Sequence, residues 1–381
     1  MERIGLMRKF YLMIIILFLA FSQAALADPM YSPTWGFFID LPEGYEFTDG
    51  DGKDRFSFAG PEGLIFDMVV YNGKFKTMLD MVEDVNRKIT NKGDVDFFTY
   101  NGKQAAIIEL SFGECSGWGL AVELEKSGEQ TPMLLSLSYG PAKNKNLELF
   151  HLSAIDSISP TFSELRYPGP LIEYSYPRGE PKNVTLANGV SAVIRSDDAE
   201  AAQVLIEREF MILHQYANTP ILKDAWTRYY RLIYRDSFDR VKNAAEAVTR
   251  KYGGHSTMSD TQKRAFAQQV LTFTQGFEYE RNLQGSDFLN LVTAVTEGRG
   301  DCDNRAMLFA IILSNVNIPS AIMISQHYSH AMGLADLQGE GARFESFGKN
   351  WLVAETTANI DIGLIAQDQS DPQHWFSVLF D

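Results

Sequence analysis

Cysteine is scarce in this chain. Two among 381 residues, Cys115 and Cys302, allow at most one disulfide, so no disulfide framework holds the fold. With no C-x-x-C and no H-x-x-x-H pair, the spacing of a structural zinc site is also missing, and a set drawn from Cys302, His327, His330 and His374 would offer one sulfur. No metal or other cofactor is therefore expected. Basic residues are in deficit, 34 Lys and Arg against 49 Asp and Glu, for a net charge of −15. Such a surface is a poor partner for nucleic acid or an anionic membrane. Asp49, Asp51 and Asp54 in TDGDGKD lack the spacing and closing Glu of an EF-hand and read as a solvated turn. No internal repeat is present.

The longest apolar run, Phe10 to Phe21, lies at the N-terminus, after Arg3, Arg8 and Lys9 and before the A-x-A site Ala25-Leu26-Ala27. Its 12 residues fall short of the ~20 that a bilayer span needs. The pattern predicts a cleaved secretory signal over 1–27 and an exported protein, periplasmic or secreted. Asp28 stands where a lipoprotein would need Cys, so no lipid anchor, and no stable membrane anchor after cleavage, is expected. Cleavage removes three basic residues and one acidic one, moving the net charge from −15 to −17. In an oxidising compartment a retained unpaired cysteine points to chemistry rather than framework. Cys115, in FGECSGWG, reads as a bland buried or loop thiol.

Cys302 sits in GRGDCDNRAMLFAIIL, residues 298–313, between a glycine-punctuated turn and an apolar run from Ala306 to Leu313. This predicts a buried helix with an exposed first turn and the thiol at its N-terminus. Unpaired N–H groups and the macrodipole there favour the thiolate. Asp301 and Asp303 push the other way, so a paired imidazole is needed. His330 opens a strand-like segment in SHAMGLADL, and Glu355 follows in WLVAETT. Cysteine, histidine and acid form a nucleophile, base and orienter set. His327, three residues earlier in a polar loop, is the competing base.

These residues carry a resemblance. From Phe277 to Thr357, GRGDC, HAMGL and WLVAETT are similar to the core of the transglutaminase-like superfamily, with a cysteine heading a helix, a histidine opening a later strand and an acid in W-x-x-x-D-x-T. The acid here is Glu355 where the family usually has Asp, one methylene longer. The resemblance implies a papain-like helix on an antiparallel sheet, and acyl transfer from a peptide or carboxamide through Cys302, His330 and Glu355. The thioester would pass to water, as in a cysteine peptidase or amidase, or to an amine, as in a transglutaminase. The oxyanion hole would combine the Cys302 N–H with a side-chain donor, Gln275 or Tyr279 in TQGFEYE. The rival reading is a non-catalytic binding module on the same fold, favoured by Glu355 and the acidic neighbours of Cys302.

With 45% apolar residues the chain can bury more than one core, so two domains are expected. In the first, over 28–160, runs at Gly36–Leu41, Arg55–Ala59 and Leu64–Tyr71 read as strands. Met78, Met81, Val82, Val85 and Ile89 repeat at helical spacing. Asp94–Tyr100 and Lys103–Phe112 flank the hairpin signal Asn101-Gly102. Strands near Leu120–Glu125 and Pro132–Tyr139 and a helix through Ile155 complete an order that resembles a PsbP/Mog1-like α/β sandwich. His151 reads as a helix-face residue. The proline-rich stretch 161–182 is expected to be an interdomain linker. Over 183–259 a hairpin at Asn188-Gly189 precedes a helical region, where Trp226, Tyr229, Tyr230, Ile233 and Tyr234 form an aromatic stripe, either core or a substrate-facing wall. Ser259 and Gln262 form a capping box. In the 260–381 domain the Cys302 helix is followed by strands at Ser320–Ser325 and His330–Leu337, then by Ala342–Phe347 and Trp351–Glu355 paired across 348–350. The fold class expected is α+β throughout.

Overall fold

The computed structural model describes residues 29–126, 128–281 and 285–380. The signal expected over 1–27 lies outside these. No helix among the described residues is long and apolar enough to cross a membrane. The fold is α+β in two units, each an antiparallel sheet with helices packed on it.

The first unit opens with a small ribbon, β1 (Met30–Tyr31) and β2 (Phe38–Ile39), and then builds a seven-stranded sheet. Its strands are β3 (Glu46–Gly50), β4 (Arg55–Ala59), β5 (Ile65–Tyr71), β6 (Val95–Tyr100), β7 (Lys103–Phe112), β8 (Cys115–Glu123) and β9 (Met133–Pro141), in the order β3-β4-β5-β9-β8-β7-β6. β3 was not legible: all five residues are exposed, so this edge strand has no apolar alternation. Helix α1 (Met78–Ile89), started by a capping box between Thr77 and Asp80, covers one face through Met81, Val82 and Val85. Helix α2 (Glu148–Asp156) covers the other, where Phe58, Phe66, Leu120 and Ile155 pack. His151 faces inward on α2, its Nδ1 2.9 Å from Ser138 Oγ, and burial pulls its pKa down to about 4. Asp51 collects the backbone N–H groups of Lys53, Asp54 and Arg55 on one oxygen, which makes TDGDGKD a closed turn.

The stretch 161–182 is packed, contrary to the expectation of a linker. It contains the short helix α3 (Pro170–Ser175), whose Leu171 and Ile172 N–H groups donate to Asp156. Leu171 and Ile172 are buried, and Glu164 is fully so, with Lys103 at 2.6 Å. The prolines set turns between these anchored residues instead of leaving the chain loose. The hairpin β10 (Pro181–Thr185) and β11 (Ser191–Arg195) follows as expected.

Next come α4 (Asp198–Gln215), α5 (Leu222–Arg240), α6 (Lys242–Lys251) and α7 (Asp260–Gln275), the last started by the Ser259–Gln262 box. One face of α5 joins the two units with arginines. Arg228 donates to Glu209, Ser153 and the Asp40 carbonyl, Arg231 to the Asp40 carboxylate, and Arg235 to the carbonyls of Asp156, Ile158, Glu164 and Tyr167.

The short strand β12 (Glu278–Tyr279) pairs in parallel with β13 (Arg299–Gly300), on either side of helix α8 (Leu291–Glu297). Helix α9 (Cys302–Ser314) is apolar all round from Ala306 to Leu313, with every one of these residues fully buried. A helix without a polar face must be covered on every side. A five-stranded sheet packs on one side of it, in the order β16-β17-β15-β14-β18, and α5 to α8 pack around the rest. The strands are β14 (Ser320–Ser325), β15 (His330–Ala335), β16 (Arg343–Ser346), β17 (Lys349–Ala354) and β18 (Phe376–Leu379). One hydrophobic core therefore runs from Ile172 to Val378. The helical region over 183–259 shares this core with 260–381, because residues of both cover α9. The β16–β17 turn sits at Phe347-Gly348, with φ of 50° and 71°, one residue earlier than expected.

Candidate active site

The glycines of GRGDC have distinct tasks. Gly298 ends α8 in the left-handed region at φ +69°. Gly300, at φ +149°, lies so close to Asn304 that a Cβ would come within 2.1 Å of its Oδ1. This turn delivers Asp301 as N-cap of α9, one oxygen accepting from the N–H groups of Asp303 at 3.1 Å and Asn304 at 3.2 Å. Cys302 is thus the first helical residue, as expected. The first turn is not exposed, however: Cys302 is 6% accessible and Asp301 2%.

The structure brings the three expected residues together. Cys302 at the head of α9 and His330 at the start of β15 line one cavity. His330 Nε2 lies 2.7 Å from Glu355 Oε2, while Glu355 Oε1 accepts from the Thr357 N–H at 2.7 Å and hydroxyl at 2.6 Å. Burial pushes the Glu355 pKa up, but the His330 and Thr357 hydrogen bonds outweigh it and the net shift is down. A carboxylate so held keeps Nε2–H as the donor and leaves Nδ1 of His330 as the nitrogen able to accept a proton. The longer Glu arm is accommodated because Thr357 turns the carboxylate back toward His330.

His327 does not join this set. It stacks on His374 at 4.0 Å between ring centroids and is absent from the cavity wall. Gln275 is placed beneath the site: its Nε2 donates to the carbonyls of Glu355 at 2.9 Å and Ile360 at 2.8 Å, so it holds the acid's backbone and is not free as an oxyanion donor. Tyr279 pairs across β12–β13 with Gly300, two residues from the thiol. Its phenol is half exposed and pushed up to about 12, by burial first and the neighbouring Cys302 second. It remains protonated and able to donate.

Three features were not read from the sequence. Arg305, buried on the first turns of α9, donates to the carbonyls of Gly300 at 3.1 Å and Phe277 at 2.8 Å and lies over the Tyr279 ring, tying β12 and β13 to the helix. Trp375, leading into the unforeseen β18, sets its ring edge-on to His330 at 6.2 Å. Tyr230 donates to Asp303 Oδ2 at 2.7 Å. All of the aromatic stripe packs in or against the core, and Trp226, Tyr229 and Tyr230 also line the cavity, which Ile233 and Tyr234 do not.

The electrostatics correct one expectation. The thiol pKa is raised well above its ordinary value by burial, then by the charges of Asp303 and Asp301, with the Ala331 N–H only partly opposing. Asp303 Oδ1 lies 3.5 Å from Sγ. Burial also raises both carboxyls, Asp301 to about 8. The helix end does not outweigh this. At rest Cys302 is a thiol.

No known family's profile matches the chain, and no curated protein matches it. Among solved structures, a protein from Bacteroides thetaiotaomicron VPI-5482 aligns at 11% identity over 82% of this chain and 87% of that one, with a TM-score of 0.24. Another, a provisionally named cysteine protease from Cytophaga hutchinsonii, aligns at 10% identity over 84% and 76%, with a TM-score of 0.21. At such TM-scores neither likeness bears on the chemistry of the site.

Proposed function

We propose that this chain is an exported thiol acyl-transfer enzyme of the transglutaminase-like type, acting on peptide or carboxamide substrates through Cys302, His330 and Glu355. The observation that carries the reading is the His330–Glu355 contact at 2.7 Å beside a thiol that heads a buried helix and opens on the same cavity. Because the thiol is protonated at rest, His330 Nδ1 acts as general base during attack, not as one half of a standing ion pair. It takes the Cys302 proton as sulfur bonds to the carbonyl carbon, and returns it to the departing amine or ammonia. Glu355 stabilises the imidazolium. The Cys302 N–H and the Tyr279 hydroxyl supply the oxyanion donors. Water or an amine then resolves the thioester.

The test is trapping of a thioester on Cys302 by mass spectrometry with a panel of peptide amides. Cys302→Ala should abolish the adduct. Glu355→Gln, which keeps shape and loses charge, should slow its formation by a few powers of ten, against the about 10⁴-fold seen when the orienting acid of a serine triad is neutralised. Glu355→Asp should be milder. The raised thiol pKa favours a second reading, a binding module that kept the fold. No adduct with any amide, together with an unreactive Cys302, would select it.

A further inference from the structure

The cavity beside Cys302, of about 330 Å³, has an unusual wall. Trp226, Tyr229, Tyr230 and Phe288 present aromatic surface, and Asp301 and Asp303 present carboxyls. Asp301 is 2% accessible, yet among the described residues only its Oδ1 meets hydrogen-bond donors; no donor or cation meets Oδ2. Apart from His330, the basic side chain on this wall is Arg281, which is engaged by Asp287, its Nε at 3.0 Å. A second cavity continues past Arg281 and Asp287 along Glu207, Glu280 and Glu297, where Arg299 is already paired with the last two at 2.8 and 2.6 Å. A buried carboxyl, Asp301, beside a half-buried one, Asp303, with no cation in ion-pair contact among the described residues, is costly to keep charged. Aromatic faces next to them are the other half of an ammonium site.

We propose that the substrate carries a cationic nitrogen, an ammonium group, which docks against the carboxylates of Asp301 and Asp303 where Trp226, Tyr229 and Tyr230 line the cavity. This names a substrate class for the acyl-transfer site and so rests on that reading for its role in turnover, though binding itself does not need the thiol. The cation would sit within a few bonds of the attacked carbonyl, since Asp303 is 3.5 Å from Sγ. The wall supplies aromatic faces rather than further ligand atoms, which favours an organic ammonium over a metal ion.

The experiment is calorimetric titration of the full-length protein near pH 7 with n-butylammonium, with n-butanol as the neutral isostere. Saturable binding of the cation is expected, accompanied by proton release seen as a dependence of the heat on buffer, because a carboxyl held protonated at rest must ionise to receive it. In the double variant Asp301→Asn, Asp303→Asn the cation should bind roughly tenfold or more weakly, while n-butanol should be indifferent to the change. Asn retains the cap and the acceptor for Tyr230, and unchanged circular dichroism confirms that the variant folds. Equal binding of butanol and butylammonium, or binding of zinc but not of butylammonium, would overturn the proposal. Butylammonium binding without any thioester would leave the cation site standing and sink the enzyme. Thioester formed equally fast on neutral and cationic amides, with no butylammonium binding, would do the reverse.

Discussion

The interface between the two units and the cavity beside Cys302 both bury carboxylates, and they treat them in opposite ways. At the interface Asp156, Asp198, Glu209 and Asp236 each have an arginine within 3.0 Å, from Arg208, Arg178, Arg228 and Arg240 among others. Beside Cys302, Asp301 is equally enclosed and Asp303 half-buried, but neither has an ion-pair partner among the described residues. They are met by backbone N–H groups, a tyrosine hydroxyl and a thiol. The first arrangement satisfies its charges within the chain and closes on itself. The second is left incomplete, and there burial raises the pKa of Asp301, Asp303 and the Cys302 thiol, a combination common where a site receives a ligand.

The largest expected effect comes from breaking the first arrangement. Arg228→Met keeps bulk but strips Glu209 and Ser153 of a partner in a fully enclosed position, and should cost about 3–5 kcal/mol in urea unfolding. Asp303→Asn strands no opposite charge and should change stability by about 1 kcal/mol or less. If the two variants cost the same, the contrast between the regions is wrong. The packed 161–182 stretch belongs to the stable side, so limited proteolysis of the native protein should spare it.

A middle-sized effect concerns the thiol. With its pKa raised by burial and by Asp303, Cys302 should load slowly with iodoacetamide at neutral pH and accelerate only above the ~8.5 of free cysteine. In Asp303→Asn the acceleration should come at lower pH. Fast loading of the wild type near pH 6 would mean that His330 holds a standing ion pair with Cys302 and that the carboxyls matter less than argued.

The last effect is a slope with pH, not a difference read at one condition. Asp301 is raised from 3.8 to about 8, so between these values the native state holds a proton that the unfolded chain has released. Stability from this group is therefore greatest at acid pH and falls as pH climbs from about 4 to 8. Asp301→Asn keeps the N-cap and removes the slope, so its melting temperature relative to wild type should improve with pH and level off above 8. A difference independent of pH would show that Asp301 titrates normally.

Periodicity and motif spacing were enough to place α1, β14, the Asn101-Gly102 and Asn188-Gly189 turns, the Ser259 cap, and Cys302 at a helix start, because each of these depends on interactions within a few residues. Order along the chain also paired His330 with Glu355, since a strand carrying His330 and its neighbour β17 running into Glu355 have few other ways to meet. What depends on distant partners was decided by the tertiary structure alone. The prolines of 161–182 looked like a tether until Arg235 from α5 was seen to take up their neighbours' carbonyls. Gln275 looked like an oxyanion donor until the fold set Glu355 and Ile360 against its amide. The charge state of Cys302 followed from burial, which no local pattern states: the helix terminus and the flanking aspartates were visible in the sequence, but only the packing around α9 removed the water that would have let the helix terminus prevail.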